Sequence, residues 1–391
     1  MSRRRHAEIA GAGLGGLTLA AALAQRGWSV RVHERAPQLR DLGVGTSIWE
    51  NGHRAMAAVG ALDEVLSYGS HIVRAEIVDH HLRPVRVTVY NDTDNRALVI
   101  LRVDHHRALV NAARRAGVEI VTASPAKGAD PDGTLILESG ERLRADLVVG
   151  CDGYHSKVRD SLGLGDEVGF ITEAWTGRMI VPHKEKPEYE INQNFWSGHR
   201  RVGVLSCRDI DYMYVCAPEN CPHNPEEVRS KSINKALWIE AFPHLKDKLE
   251  RVESEVVWNR YCIAHCRSWS AGRAAIVGDS ANAMPPLLAQ GAGCAMSNAV
   301  ALAEALKDDV DIPSALVAWE LRERPVTDIT QRWAVLLLML AKRWPLELID
   351  MRSAMMAEGF SSPGLLAHFL SATRHVAKTD GHVHDLADSA A

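Results

Sequence analysis

Single carboxylates set at the ends of apolar runs, next to glycine, are the residues in this chain best placed for chemistry. Asp279 closes "AAIVG" and is followed by "SANAMPPLLAQGAGCAMSNA", two prolines and then a glycine-spaced segment that reads as the start of a helix. A charge at the end of a buried strand is costly unless it is partnered, and glycine lets backbone approach a ligand closely. The pattern implies a bound molecule that is not protein.

A second carboxylate, Glu34, ends the run "WSVRVH", with Arg35 directly after it. The residues before it, "EIAGAGLGGLTLAAALAQRG", step from an apolar strand into Gly11, Gly13, Leu14, Gly15 and Gly16, then into a helix that Gly27 terminates. Glycines at this spacing make a tight turn, bring backbone N–H groups at a helix start up to a pyrophosphate, and let the helix pack on the strand. Glu34 lies eighteen positions after Gly16, where an acid takes ribose hydroxyls. Strand, glycines, helix, strand and acid in register form a dinucleotide fingerprint rather than a bare glycine-rich turn. It fits flavin and nicotinamide cofactors alike, since both carry an ADP half.

The elements that position these residues need a long chain. At 391 residues, two interlocked domains are expected. Lys and Arg total 45 against 49 Asp and Glu, a balance without the basic excess of a nucleic-acid binder. The basic start "MSRRRH" and the apolar run after it imitate a secretory signal, but Glu8 interrupts that run and the fingerprint occupies it. No segment reaches the length of a membrane span, "AVLLLMLA" being the longest apolar run. Seven scattered cysteines argue for a reducing, cytoplasmic setting. Cys262, His265 and Cys266 lack a second ligand cluster at zinc spacing, so no metal is expected.

A third motif, "ADLVVGCDGYHSKVRDSLGL", sets a strand before Cys151-Asp152-Gly153 and places Ser156 and Arg159 on a following helix. With the fingerprint first, this Asp-Gly motif second and Gly278-Asp279 third, the chain resembles the FAD-dependent aromatic hydroxylases of the p-hydroxybenzoate hydroxylase type. The runs "VGTSIWENGHRAM", "GCDGYHSKVRDSLG", "AMPPLLAQGAGCAMSNA" and "ALVAWELRERPVTD" resemble a narrower branch that oxygenates carboxylated pyridine rings. The resemblance implies that Glu34 binds the adenosine ribose and Asp279 a ribityl hydroxyl. It also implies that Arg102 lies near FAD and that Asp152 belongs to the motif associated with the pyrophosphate and NAD(P)H. Backbone around Pro286, Ala289, Gly291, Ala292 and Gly293 would face the flavin, whose reduced form is anionic and suited to a helix N-terminus. Trp49 either borders the flavin or fills core.

The implied fold is α/β: a Rossmann-like FAD-binding domain (1–75, 100–174 and 265–330), a mostly antiparallel substrate sheet (76–99 and 175–264), and C-terminal helices and tail (331–391) covering the cofactor domain. The implied reaction reduces FAD with NADH or NADPH, adds O2 as a C4a-hydroperoxide and transfers its distal oxygen to a hydroxylated aromatic acid, with ring opening by water as an extension. Water must be excluded for that transfer. Arg201 in "HRRVGVLSC" and Tyr214 in "DYMYVCA" lie where the resemblance places a ring carboxylate, and Arg178 and Tyr261 are further pocket candidates. An arginine fork matches a planar carboxylate. Arg200 replaces Arg201 if the strand phase is shifted by one, and each of these residues also has a sheet-stabilising reading.

Two departures from the family pattern bear on the proton. Asn282 stands where most members have His, and Asn298-Ala299 stand where they have an acidic pair. A 3-hydroxypyridine carboxylate needs no base there, because its ring nitrogen can hold a proton while its oxygen stays anionic. A phenolic substrate would need one, from His199, Tyr214 or Tyr261. An FAD epoxidase or dehydrogenase, and a non-catalytic flavin sensor, remain the competing readings, since fold does not by itself fix chemistry.

Overall fold

The run "LVVG" is apolar on both faces, as a strand covered on two sides must be, while "HAEIA" and "SVRVH" put Ala7, Ile9, Val30 and Val32 on one face and His6, Glu8, Ser29, Arg31 and His33 on the other. In the structure, a computed structural model describing residues 4–39, 44–184, 191–218, 224–307 and 310–376, they pair in parallel, with Ala7 against Leu147 and His6 against Ser29. Among the described residues they lie in a six-stranded sheet ordered Ser270–Ala271, Ala274–Ile276, Leu147–Gly150, His6–Ala10, Ser29–His33 and Glu119–Val121. Only the outer Ser270–Ala271 strand runs antiparallel to its neighbour. Helix Leu14–Gln25 joins the first two strands and packs on helices Arg102–Arg115 and Gly291–Ala305. Ile9, Leu17, Leu23, Val149, Leu302 and Trp319 share the resulting core. Glu8 is buried in this sheet between His33 and His6, whose Nε2 atoms lie 2.8 and 2.9 Å from its carboxylate.

The second large sheet has seven strands, ordered Val257–Cys266, Gly165–Pro182, Ile210–Ala217, Arg200–Cys207, Ile191–Ser197, Arg74–Val78 and Pro84–Val89. Only Ile191–Ser197 and Arg74–Val78 pair in parallel. Its two faces differ in kind. Met179, Val202, Val204, Met213 and Val215 point one way, onto Trp238, Phe242, Leu245 and Leu249 of a helical segment between the last two strands in sequence. The other face carries Thr176, Arg178, Asn194, Trp196, Arg201, Tyr212, Tyr214 and Cys216, as the register of cross-strand pairs requires. That alternation sets an apolar anchor behind and a polar surface in front.

Three elements run across the expected boundaries. Strand Gly165–Pro182 continues through position 174 into the sheet, and strand Val257–Cys266 runs through position 265. Helix Ile312–Lys342 passes through position 330 without a break despite Pro325. Its first half packs in the six-stranded core through Leu316 and Trp319; its second half, Ala334 to Ala341, packs on Trp196, Tyr261 and Cys216 of the seven-stranded sheet. The apolar "AVLLLMLA" stripe therefore covers the polar sheet face as well as joining the cofactor half. Helices Ile349–Ser361, Pro363–Phe369 and Ser371–Arg374 follow; Gln290 Nε2 donates to Thr373 Oγ1 at 2.7 Å, tying this segment to the start of helix Gly291–Ala305. The expected frayed tail "TDGHVHDLADSAA" lies outside the described residues.

Candidate active site

The glycines of the first motif divide by what surrounds them. Gly11 sits at φ +102°, and a Cβ there would lie 2.2 Å from the Cys151 carbonyl oxygen; a Cβ on Gly16 would lie 2.1 Å from the Gly11 carbonyl oxygen. Both close the strand–helix packing. Gly13 is exposed, and a Cβ there would meet nothing within 4 Å, so the space in front of it is open. Gly13 is also the N-cap of helix Leu14–Gln25, which has no side-chain cap and thus leaves its first N–H groups for an anion. Glu34 is held beside this turn by the N–H groups of Ala12 (3.1 Å) and Ala36 (2.8 Å), with Arg35 exposed next to it.

Helix Gly291–Ala305 offers a second uncapped start. Ala289 precedes it in the left-handed region at φ +52°, Pro286 opens the short turn before that, and Trp49 Nε1 donates to the Leu288 carbonyl at 3.0 Å. A Cβ on Gly293 would lie 2.8 Å from Asn51 Nδ2, while Gly291 has open space; Ala292 packs partly into the core. Trp49 also stacks on Tyr90, with centroids 5.3 Å apart, so it both borders this loop and fills core.

Asp152 and Asp279 have opposite surroundings. The Asp152 carboxylate is taken up by protein: it accepts from Ser156 Oγ (2.5 Å), Ser280 Oγ (3.1 Å), the Lys157 N–H (2.8 Å) and the Val158 N–H (3.3 Å). Ser156 in turn caps helix Lys157–Ser161, and Arg159 Nη1 donates to the carbonyls of Tyr154 and Ser280. This carboxylate joins the Asp-Gly and Gly-Asp motifs to each other. Asp279 keeps an exposed face, yet the protein packed around it is dense enough for burial to push its pKa up, against the Arg102 charge. Among the described residues no donor reaches its carboxylate. An acceptor left open in a cleft is what a hydroxyl-bearing ligand would complete.

Arg102 begins helix Arg102–Arg115, and its charge reaches both Asp279 and Tyr212. The Arg178 charge is felt by Tyr212, Tyr261 and Cys262, and the Asp279 charge by Cys262. The dinucleotide half and the seven-stranded sheet meet here: the Ala264 N–H donates to the Ala283 carbonyl at 3.1 Å, and a Cβ on Gly45, paired with Leu101 beside Arg102, would lie 2.6 Å from the Tyr212 ring, which makes this junction the candidate cleft. On the polar sheet face Arg201 is buried, its Nε donating to Asn194 Oδ1 at 3.3 Å, and Asn194 Nδ2 donates to Tyr214 Oη at 2.6 Å. Gly203, opposite Tyr214, makes this possible: a Cβ there would lie 2.1 Å from the Tyr214 ring. Tyr261 Oη and Cys216 Sγ share a hydrogen bond at 2.9 Å, and Arg178 Nη1 donates to Asn259 Oδ1 at 3.0 Å. Leu287, Leu338 and Met339 close over Tyr261 and Cys216.

Arg201 has no acidic partner among the described residues. Burial works against its charge, but Tyr214, Cys216 and Tyr261 hold its pKa above the ordinary value, so it stays cationic. Burial pushes Tyr214 up to about 12, against the Arg201 charge, and pushes Tyr261 well up too. Both phenols are therefore neutral donors at ordinary pH.

The structure separates other expectations. Arg201, not Arg200, shares the face of Trp196 and Cys216. His199 Nε2 meets the Trp344 carbonyl at 2.8 Å, in the turn at the sheet's end. Asn298 Nδ2 donates to Thr327 Oγ1 at 3.1 Å and Ala299 is fully buried, so both serve helix packing. Asn282 is buried with Nδ2 unpartnered. Cys262, His265 and Cys266 form no ligand group; the metal-capable trio among the described residues is His80, His81 and Asp350 at the surface, a grouping of adjacent histidines with a helix aspartate that no spacing rule reveals. Asn194 and Trp196 also went unmarked in the sequence, because neutral side chains on a strand carry no signal until their cross-strand neighbours are known.

The glycine turn, its uncapped helix start and Glu34 define a dinucleotide-binding protein. The profile described as "FAD binding domain" matches residues 5–310, and the chain belongs to that family, the p-hydroxybenzoate hydroxylase type. It is 35% identical over 335 residues to a 2-heptyl-3-hydroxy-4(1H)-quinolone synthase of Mycobacteroides abscessus, covering 83% of this chain and 88% of that one. It is 29% identical over 333 residues to 3-hydroxybenzoate 6-hydroxylase 1 of Aquipseudomonas alcaligenes, covering 79% and 82%. Among solved structures, the tetrameric form of 2-methyl-3-hydroxypyridine-5-carboxylic acid oxygenase superposes with a TM-score of 0.82 at 36% identity, over 96% of this chain and 97% of that one. The protein is an FAD-dependent aromatic-ring monooxygenase.

Proposed function

We propose that the protein uses NAD(P)H and O2 to hydroxylate a 3-hydroxypyridine-like carboxylate. The observation that carries this reading is Arg201, a buried guanidinium without an acidic partner among the described residues, hydrogen-bonded to Asn194 on the face that meets the cofactor cleft. A buried cation that the protein leaves unneutralised is best completed by an anionic ligand, and a fork favours a carboxylate. The likeness to the pyridine-carboxylic acid oxygenase supports the same substrate class.

FAD, when bound, supplies electrons and activates O2. The residues that would hold it are the N–H groups around Gly13 and Gly291, Glu34 toward the ribose and Asp279 toward a hydroxyl, and the open space at Gly13 fits such a ligand. Arg201 and Tyr214 would orient the ring, and Leu287, Leu338 and Met339 would keep water out. Tyr214 and Tyr261 are neutral and His199 is engaged elsewhere, so the cleft offers none of them as an ionised base. A ring that arrives already ionised suits it.

The test is a substrate panel with the purified FAD protein: a hydroxypyridine carboxylate, the matching hydroxybenzoate and a 4-quinolone, following stimulated NAD(P)H oxidation and product mass. The first should be preferred, with no enzyme base in its pH profile, and product mass separates hydroxylation from ring opening. Preference for the benzoate with a basic limb would sink the reading. A second reading, hydroxylation of a 4-quinolone, is favoured by the quinolone synthase likeness, and preference for the ring without a carboxylate would select it.

A further inference from the structure

Arg201 is one of two cations on a single indole. Its guanidinium carbon lies 4.9 Å from the centroid of the Trp196 ring, and that of Arg352 lies 5.2 Å from the same ring. Arg352 comes from helix Ile349–Ser361, far along the chain, and is 1% exposed. Its Nη1 donates to the Gly198 carbonyl at 2.9 Å, in the turn just after Trp196, and more weakly to the Leu340 carbonyl at 3.4 Å on the long helix. Among the described residues no carboxylate forms an ion pair with it; Asp79, the acid whose charge it feels, is committed to Arg83 at 2.8 Å. The Trp196 Nε1–H is buried without a partner.

Two buried like charges on one ring are unfavourable, and the repulsion registers on Arg352: burial first, then Arg201, lower its pKa to about 10, still charged at neutral pH. Ordinary core packing would be served better by an apolar residue of similar size. What the arrangement gains is field and rigidity. Arg352 clamps the Gly198 turn and the indole, which fixes the surface on which the Arg201 fork lies, and it adds a second positive charge where Coulomb attraction is little screened.

We propose that Arg352 is a specificity-determining positioning residue: through Trp196 it orients Arg201 and doubles the positive charge, so that the cleft selects rings bearing an anionic carboxylate. This rests on the reading of Arg201 as the carboxylate anchor. Arg352 itself is not a catalytic residue, since its proposed action is through the indole it shares with Arg201.

The experiment titrates the FAD-loaded enzyme with a hydroxypyridine carboxylate and with the same ring lacking the carboxylate, reading Kd from the flavin absorbance change at two ionic strengths. Arg352→Gln keeps donors for the two carbonyls but not the charge. It should weaken the carboxylated ring about three- to tenfold, leave the other ring unchanged, and flatten the salt dependence. Arg352→Lys should restore most of the loss. Equal weakening of both rings, or no rescue by lysine, reduces Arg352 to a structural part and overturns the proposal. If Arg352→Gln does not fold, Arg352→Met carries the same expectation, with Arg352→Lys measured against wild type as its charged control. Arg201→Met separates the two levels. If it leaves the carboxylate preference intact, the anchor reading itself fails; if it abolishes the preference while Arg352→Gln does nothing, only the present inference fails.

Discussion

The two walls of the candidate cleft present opposite kinds of groups to a ligand. On the dinucleotide side these are mostly backbone: the glycines Gly11, Gly13 and Gly16 and two helix starts without side-chain caps, with Glu34 and Asp279 as the proposed side-chain acceptors. On the sheet side they are side chains, Arg201, Asn194, Tyr214 and Trp196, each fixed by a neighbour on another strand or helix. Backbone recognition tolerates little volume but does not discriminate between rings. Side-chain recognition discriminates, and on the proposed reading its parts are exchangeable without loss of the cofactor.

The largest effects should come from breaking the first wall. Gly16→Val places carbon where the Gly11 carbonyl stands, at 2.1 Å, and should cost at least about 3 kcal/mol, read as loss of folded, yellow protein. Gly13→Ala is its control: with no protein atom within 4 Å the apo melting temperature should hold while FAD affinity falls roughly tenfold or more, since the methyl occupies the ligand's space. Retention of both would remove the pyrophosphate from that turn. Glu34→Lys follows, with FAD lost on dialysis because the acceptor held by the Ala12 and Ala36 N–H groups becomes a cation facing them. Full occupancy in that variant would overturn the ribose assignment.

Breaking the second wall should leave the flavin in place. Arg201→Met should retain FAD and weaken a carboxylated ring by about 1.5 to 3 kcal/mol, roughly ten- to a hundredfold, more than the ring without a carboxylate. Parallel losses for both rings would take Arg201 out of the site.

The smallest expected effect compares the buried carboxylate of each half. Burial raises Glu8 and Asp211, but hydrogen bonds from His33 and His6 to the one, and from Lys248 and His183 to the other, outweigh it and leave both below their ordinary values of 4.5 and 3.8. A depressed carboxylate contributes stability that is full above its unfolded pKa and lost as pH falls through the folded one. The acid limb of melting temperature against pH should therefore steepen below about pH 4, and Glu8→Gln and Asp211→Asn should each flatten it. Unchanged acid limbs in both variants would show that neither pair carries the linkage.

The dinucleotide wall was legible in sequence because its parts are local: the glycine turn, its helix, Gly27 at φ +86° ending that helix and Glu34 closing the next strand all fall within a few tens of residues. The mostly antiparallel second sheet was legible from its alternating strands. Less legible were helices Lys235–Ala241 and Lys246–Glu250, which back that sheet, and the continuity of helix Ile312–Lys342 through Pro325, since a proline inside a pattern looks like a stop. Asp152 shows what a motif leaves unsaid: besides the cofactor role the resemblance implies, its carboxylate accepts from the Lys157 N–H and from Ser280 Oγ and so bridges two motifs.

The sequence by itself determined the dinucleotide fingerprint, the order of the three motifs and the presence of a cationic, aromatic strand pair, because these are read directly along the chain, while FAD rather than a nicotinamide followed from the resemblance that the three motifs carry together. Only the tertiary structure decided that Arg201 rather than Arg200 shares the face of Trp196 and Cys216, that Gly203 makes room for Tyr214, and that Arg352 and Arg201 meet on the Trp196 ring. Those outcomes depend on strand register, where one residue of slip reverses every side chain, and on partners 20 to 154 positions apart that only packing brings together.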